Sequence, residues 1–222
     1  MTSGPTGRLT GRRLYLCTPD RPDLEVFLVA CLRGGVDVVQ LREKDAEARQ
    51  LLSRARTAAR CCADFGVPFL VNDRPDIALE SEADGVHLGQ DDVPASLARR
   101  ILGPAALVGL STHSPAELAA SRAEPVDYIS AGPVEPTPTK PGRPGTGAHY
   151  AALATREAQR PVFVTGGVRP DTVPDLVAAG ARRFVVVRYL TEADDPQDAA
   201  RLLRRTVDEA LEGCGDDEAP QE

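Results

Sequence analysis

The sequence predicts a single α/β domain folded as a (β/α)8 barrel, the fold also called a TIM barrel. The chain has 222 residues, a length that is usual for one such barrel. Eight short apolar runs alternate with longer stretches of helical periodicity. Most of these runs are continuously apolar, as is typical of parallel strands covered on both faces. Together the three observations favour a closed barrel of parallel strands with helices outside it.

The predicted strands and helices alternate regularly along the chain. The predicted strands are residues 14–17, 36–41, 68–72, 85–88, 107–111, 128–131, 162–165 and 184–187. The predicted helices are residues 24–33, 46–65, 95–102, 115–122, 148–158, 172–179 and 196–211, with a short helix at most over 75–81. An open doubly wound sheet is the alternative fold, but no G-x-G-x-x-G follows the first predicted strand.

We expect one catalytic barrel domain over residues 12–212, flanked by two loose ends. Residues 1–11 are rich in Gly, Thr and Ser, which predicts a flexible leader. Residues 213–222 carry four acidic residues and no basic residue, which predicts a disordered acidic tail. The stretch 132–147 is rich in Pro and Gly, and a loop of this length in a compact domain is usually functional or mobile.

The composition excludes several classes of function. A net charge of −7 and an aromatic content of 4% argue against a nucleic-acid partner. The longest apolar stretch is far too short to span a bilayer, so no membrane partner is expected. The cysteine count of five is odd and no C-x-x-C occurs, which favours a reducing cytoplasm and argues against a structural zinc site. The sequence leaves the oligomeric state open and allows a homo-oligomer.

Unusual polar residues follow the predicted strands, where barrels of this type carry their chemistry. Asp73 and Asp92 follow neighbouring strands, so their carboxylates can converge as Mg2+ ligands beside phosphate oxygens. Only two of the 26 basic residues are lysines, and both Lys44 and Lys140 lie at this rim. With Arg42 they supply positive charge around an anionic group.

A second anionic group is expected after the seventh strand, where Gly166 and Gly167 leave backbone amides open. Each of these features also has an ordinary structural explanation. Asp73 could form a surface ion pair with Arg74, and one of the pair Asp91 and Asp92 could cap the following helix. The joint placement of the residues on one rim is what favours a functional site.

Six motifs in this order resemble the thiamine phosphate synthase family over about residues 14–211. They are Gln-Leu-Arg-Glu-Lys at 40–44, Asn-Asp-Arg at 72–74, Gly-Val-His-Leu-Gly-Gln-Asp-Asp at 85–92, Ser-Thr-His-Ser at 111–114, Gly-Pro-Val-Glu-Pro-Thr-Pro-Thr-Lys at 132–140 and Gly-Gly-Val at 166–168. The resemblance implies a transferase of thiamine biosynthesis that joins hydroxymethylpyrimidine diphosphate to thiazole phosphate. The products would be thiamine phosphate and diphosphate, formed with Mg2+ through a pyrimidine methylene cation.

The resemblance also implies which residues bind each ligand. The pyrimidine diphosphate site would comprise Gln40, Leu41, Arg42, Glu43, Lys44, Asn72, Ser111 and Lys140. Of these, the catalytic residues would be Arg42, Lys44, Ser111 and Lys140. The thiazole phosphate site would comprise Thr137, Pro138, Thr139, Gly167, Val187 and Arg188, and the metal ligands would be Asp73 and Asp92.

The chain departs from the common family pattern at two positions, and two other functions are open. Glu135 stands where an aromatic or apolar residue is frequent, and Arg188 stands where a small hydroxyl residue is frequent. A thiazole tautomerase of the same barrel family would need an acid–base residue such as His113. A non-catalytic barrel that binds a phosphorylated ligand is the third possibility. The combined presence of Asp73, Asp92 and Lys140 favours the synthase.

Overall fold

The computed structural model describes residues 4–136 and 145–214 and shows eight parallel strands alternating with helices. The strands are β1 Leu14–Thr18, β2 Val38–Leu41, β3 Phe69–Asn72, β4 Gly85–Leu88, β5 Leu107–Thr112, β6 Tyr128–Ala131, β7 Val162–Thr165 and β8 Phe184–Val186. The helices are α1 Leu24–Arg33, α2 Ala48–Asp64, α3 Pro75–Glu80, α4 Ala95–Leu102, α5 Pro115–Ser121, α6 Gly147–Glu157, α7 Val173–Ala178, α8 Arg188–Thr191 and α9 Pro196–Gly213.

The sheet closes into a barrel because each strand pairs with the next and β8 pairs with β1. At the closure, Leu14 lies opposite Phe184 and Leu16 lies opposite Val186. The predicted (β/α)8 barrel is therefore confirmed, and the open doubly wound sheet is wrong. Within the residues that the structure describes, no helix is long and apolar enough to cross a membrane.

Both faces of the strands are buried, which explains the continuous apolar runs in the sequence. One apolar layer lies between the strands and the surrounding helices, and it includes Leu16, Val39 and Val71. A smaller layer fills the barrel interior. Its members are Leu9, Tyr15, Cys17, Val38, Leu70, Leu107, Tyr128, Phe163 and Val185.

Within the predicted leader, residues Pro5–Leu9 form a short 3-10 helix packed against the barrel, which the sequence does not predict. Leu9 is only 1% exposed and belongs to the interior apolar layer. Arg8 pairs with Asp84 at 2.6 Å and also donates to the carbonyl of Ala105. At the other end of the chain, α9 continues through Gly213, and the rest of the predicted acidic tail lies outside the described residues.

Three aspartates at the amino-terminal ends of strands join neighbouring strands of the barrel. Asp37, Asp84 and Asp127 directly precede β2, β4 and β6, respectively. Each accepts backbone N–H groups from the start of the preceding strand. An arginine pairs with each carboxylate. Asp37 accepts from Arg13 and Leu14 and pairs with Arg204. Asp84 accepts from Phe69 and pairs with Arg8. Asp127 accepts from Val108 and pairs with Arg99. These contacts stabilise the end of the barrel opposite the functional rim.

We expect Asp127→Ala to lower the free energy of unfolding by about 1–3 kcal/mol, because the buried N–H of Val108 loses its acceptor and Arg99 loses its carboxylate partner. Urea denaturation measures the change. Asp64→Ala, at an exposed position at the end of α2, is the matched control and should change stability by less than about 0.5 kcal/mol. Equal effects of the two substitutions would contradict the role of Asp127 in joining β5 and β6.

Candidate active site at the carboxyl-terminal rim

A cavity of about 860 Å³ opens at the carboxyl-terminal ends of the strands. Most of the predicted site residues line it. These are Gln40, Arg42, Lys44, Asn72, Asp73, Asp92, Ser111, Gly167, Val187 and Arg188. The structure therefore brings together residues at or just after the carboxyl ends of β2, β3, β4, β5, β7 and β8.

Two residues of the predicted pyrimidine diphosphate site do not line this cavity. Leu41 is fully buried in the layer between strands and helices, because alternate side chains of a strand point to opposite faces. Glu43 turns its carboxylate to its own loop, where it accepts the backbone N–H of Asp45. Four further predicted residues lie outside the described part of the chain. They are Thr137, Pro138, Thr139 and Lys140.

Asp73 occupies an unusual backbone conformation at the end of β3. Its φ of +61° lies in the left-handed region, which non-glycine residues other than Asn and Asp seldom adopt. Its Oδ2 lies 2.9 Å from Nζ of Lys44. Arg74 pairs instead with Asp76, so the simple explanation of Asp73 and Arg74 as a surface ion pair is wrong. Backbone strain of this kind is concentrated at functional sites.

Asp92 faces Asp73 from the neighbouring strand end, as the sequence predicts. The two carboxyl groups are close enough for each to shift the pKa of the other. Oδ2 of Asp92 also accepts the backbone N–H of Gly89 at 2.8 Å, which closes the turn after β4. The residue before α4 is Pro94, and no side chain caps that helix, so the helix-cap explanation of Asp91 or Asp92 is wrong.

The pKa values of the two carboxyl groups are shifted in opposite directions. Burial and the adjacent Asp92 carboxylate raise the pKa of Asp73 above its usual value, although Lys44 opposes this shift. Burial alone would raise the pKa of Asp92 as well, but the adjacent Asp73 and the hydrogen bond from the N–H of Gly89 lower it. Two adjacent carboxyl groups of this kind could hold a cation.

A chain of buried hydrogen bonds forms the floor of the cavity. Nε2 of Gln40 donates to the hydroxyl of Tyr15 at 2.7 Å, and this hydroxyl lies 3.0 Å from that of Tyr128. The hydroxyl of Tyr128 lies 2.8 Å from Nδ1 of His87, whose Nε2 lies 2.9 Å from Oγ of Ser111. Two predicted ligand-binding residues, Gln40 and Ser111, are thus the two ends of one network.

The sequence reasoning misses the three residues in the middle of this network. Tyr15 and Tyr128 look like ordinary apolar strand residues, and they meet only because β1 and β6 face each other across the barrel. The one available signal is His87, a titratable residue within the apolar strand Gly85–Leu88. His113, the candidate acid–base residue, also lines the cavity, and its Nδ1 lies 2.9 Å from Oε2 of Glu117.

The glycine turn after β7 is partly covered by an acidic side chain. Gly166 and Gly167 have φ values of +96° and +76°, so glycine suits both positions. A Cβ atom on Gly167 would lie 2.4 Å from the carboxylate of Glu135, which shows how closely this side chain approaches the turn. Arg169 pairs with Glu135 at 2.9 Å and with Asp171 at 3.0 Å. A negative charge therefore lies at the predicted phosphate site, balanced by one arginine.

The fold and this rim define a (β/α)8 barrel with a polar cavity at the carboxyl-terminal ends of its strands, where enzymes of this fold carry their active sites. Residues 14–190 match the sequence profile of thiamine monophosphate synthase. The chain belongs to the thiamine monophosphate synthase family, as the sequence motifs predict.

Individual relatives match nearly the whole chain. The thiamine-phosphate synthase of Thermobifida fusca is 51% identical over 206 residues, which cover 90% of this chain and 94% of the relative. The thiamine-phosphate synthase of Mycolicibacterium smegmatis is 45% identical over 219 residues, covering 93% and 96%. Among solved structures, thiamine phosphate pyrophosphorylase from Pyrococcus furiosus superposes with a TM-score of 0.82 at 30% identity, covering 90% of this chain and 97% of that one.

We expect Glu135→Gln to tighten the binding of inorganic phosphate about fivefold, because a negative charge beside Gly167 is removed and Arg169 is released. Isothermal titration calorimetry measures the affinity. Asp171→Asn is the matched control, since Asp171 pairs with the same arginine. An equal gain in both variants, or a gain in neither, would contradict the placement of Glu135 at an anion site.

Proposed function

We propose that the chain is a thiamine phosphate synthase, which joins hydroxymethylpyrimidine diphosphate to thiazole phosphate and releases diphosphate. The observation that carries the proposal is the cluster of Asp73, Asp92 and Lys44 on one rim. A carboxylate pair with an adjacent ammonium group suits a diphosphate bound with a divalent cation. The relatives named thiamine-phosphate synthase match this chain over nearly its full length, which supports the same activity here.

The donor set fits Mg2+ with ligands contributed by the substrate. Asp73 and Asp92 would hold the ion through carboxylate oxygens, which are the ligands that Mg2+ prefers. The described residues contain no cluster of three or more His, Cys, Asp or Glu side chains suited to a metal. Diphosphate oxygens and water would therefore complete the coordination. When bound, Mg2+ would stabilise the negative charge that develops on the departing diphosphate.

Asn72 provides independent support for a ligand at this position. Its side chain is buried at the end of β3, and within the described part of the chain its Nδ2 has no hydrogen-bond partner. A buried amide donor without a partner is unfavourable, so a ligand oxygen at this point would stabilise it. Asn72 directly precedes Asp73, so one strand end would hold both the diphosphate and its cation.

The reaction requires positioning and charge stabilisation rather than a protein nucleophile. The bond between the pyrimidine methylene carbon and the diphosphate oxygen would break, and its electron pair would leave with the diphosphate. Arg42, Lys44 and Lys140 would stabilise this charge, with the Ser111 hydroxyl beside the substrate. The thiazole nitrogen would then attack the methylene cation. Holding the two substrates next to each other is the main contribution of the cavity.

The thiazole phosphate would bind on the opposite side of the cavity. The residues we propose for it are Thr137, Pro138, Thr139, Gly167, Val187 and Arg188. Val187 and Arg188 follow β8, where Arg188 begins the short helix α8, and both line the cavity. An arginine at position 188 supplies a guanidinium group that can bind phosphate. Small molecules are thus the proposed partners, while the cytoplasmic location and a homo-oligomer stay predictions.

The direct experiment supplies both substrates and Mg2+ to the purified protein and measures thiamine phosphate and diphosphate together. We expect equal amounts of the two products and no reaction when either substrate is omitted. Isomerisation of the thiazole without Mg2+ and without diphosphate release would indicate a tautomerase, with His113 and Glu117 as its acid–base pair. Binding of the substrates without any product would indicate a non-catalytic barrel.

We expect Asp73→Asn to lower turnover at least about 100-fold, because the carboxylate pair loses one of its two charges. Asparagine tolerates the left-handed backbone, so the fold should be retained. Steady-state kinetics and thermal unfolding are measured on the same samples. The matched control is Asp76→Asn, which removes an exposed carboxylate three residues away and should leave turnover unchanged. Near wild-type turnover in Asp73→Asn would contradict the proposed metal site.

A further inference from the structure

We propose that Tyr15, Tyr128 and His87 are positioning residues that fix the Ser111 hydroxyl as a hydrogen-bond donor toward the bound pyrimidine diphosphate. They would do so through a one-directional chain of hydrogen bonds that begins at Gln40. The inference rests on the proposed function for the identity of the ligand. The direction of the hydrogen bonds does not depend on which ligand is bound.

The network is enclosed by apolar side chains beneath the cavity. Tyr15 and Tyr128 are at most 1% exposed, and the rings of Phe163 and His87 pack against them. This burial raises the pKa of both tyrosines well above their usual value, so both phenols stay neutral. Each phenol therefore has one proton to donate, and a proton given to one neighbour cannot be given to the other.

The amide of Gln40 sets the direction at the first end of the chain. The thiol of Cys17 donates to Oε1 of Gln40 at 3.2 Å, which places the amide nitrogen toward Tyr15. An amide nitrogen is only a donor, so the hydroxyl of Tyr15 must accept from it. The proton of Tyr15 is then directed to the oxygen of Tyr128, and the proton of Tyr128 is directed to Nδ1 of His87.

The direction continues through the imidazole to Ser111. Because Nδ1 of His87 accepts from Tyr128, the neutral ring carries its proton on Nε2. Nε2 donates to Oγ of Ser111 at 2.9 Å. The hydroxyl proton of Ser111 is thereby kept from His87 and is left for an acceptor in the cavity that Ser111 lines.

The opposite direction would give Ser111 the opposite role. With the Gln40 amide reversed, every proton in the chain would reverse, and Ser111 would donate to His87. Ser111 would then offer only lone pairs to the cavity, next to a substrate rich in phosphate oxygens. The contact between Cys17 and Gln40 selects the direction in which Ser111 is a donor.

The kinetic test uses Tyr128→Phe, which removes the middle hydroxyl and keeps the ring. We expect kcat/KM to fall about tenfold in the wild-type background and less than about twofold in the Ser111→Ala background, because both changes remove the same contact. A purely structural effect of Tyr128→Phe would be the same in both backgrounds and would overturn the proposal. Tyr150→Phe, a buried tyrosine outside this network, is the matched control and should leave kcat/KM unchanged.

A second measurement does not depend on turnover. With 15N-labelled histidine, the three histidines of the chain give few signals, and we expect wild-type His87 to carry its proton on Nε2 alone. In Tyr128→Phe the Nδ1-protonated form should become populated. If that variant does not fold, Tyr15→Phe interrupts the same chain and should give the same change.

The two experiments separate the inference from the function on which it rests. A wild-type His87 that carries its proton on Nδ1, or on both nitrogens, would overturn the inference whatever the kinetics show. Absence of diphosphate release by the wild-type protein would overturn the proposed function, while the tautomer of His87 would still decide the direction of the network.

Discussion

The close approach of the carboxyl groups of Asp73 and Asp92 is the constraint on which the rim depends. Two adjacent carboxylates repel each other, and a nearby cation or a bound proton relieves that repulsion. The closed barrel imposes the proximity, since β3 and β4 pair in parallel and end at the same rim. The left-handed backbone of Asp73 and the ammonium group of Lys44 then complete a place that suits a cation with an attached anion.

Contacts that stabilise the fold lie at the amino-terminal end of the barrel, and the candidate active site lies at the carboxyl-terminal end. At the amino-terminal end, Asp37, Asp84 and Asp127 join neighbouring strands, and Leu9 enters the interior layer. The tyrosine network forms a floor between this end and the cavity. The rim can then hold an unpartnered donor and a strained residue, because the layers below it supply the packing.

Local sequence patterns predict the barrel well and the polar contacts poorly. All eight strands are predicted within two residues of their observed ends, because continuous apolar runs report burial on both faces. The convergence of Asp73 and Asp92 follows from the order of the strands. The packed helix at Pro5–Leu9 is missed, since its burial depends on Asp84 and other distant residues. The contact between Tyr15 and Tyr128 is missed for the same reason, since it joins residues far apart in the sequence. Leu41 is buried away from the cavity because alternate strand residues point to opposite faces, which the Gln-Leu-Arg-Glu-Lys motif alone does not show.

The central claim is that the carboxylate pair binds a divalent cation together with a diphosphate group. The most direct measurement is the affinity of the wild-type protein for inorganic diphosphate, by calorimetry, with saturating Mg2+ and with a chelator. We predict binding at least about 100-fold tighter with Mg2+, because Asp73 and Asp92 would hold the cation and its charge would stabilise the bound diphosphate. Equal affinity under the two conditions would contradict it.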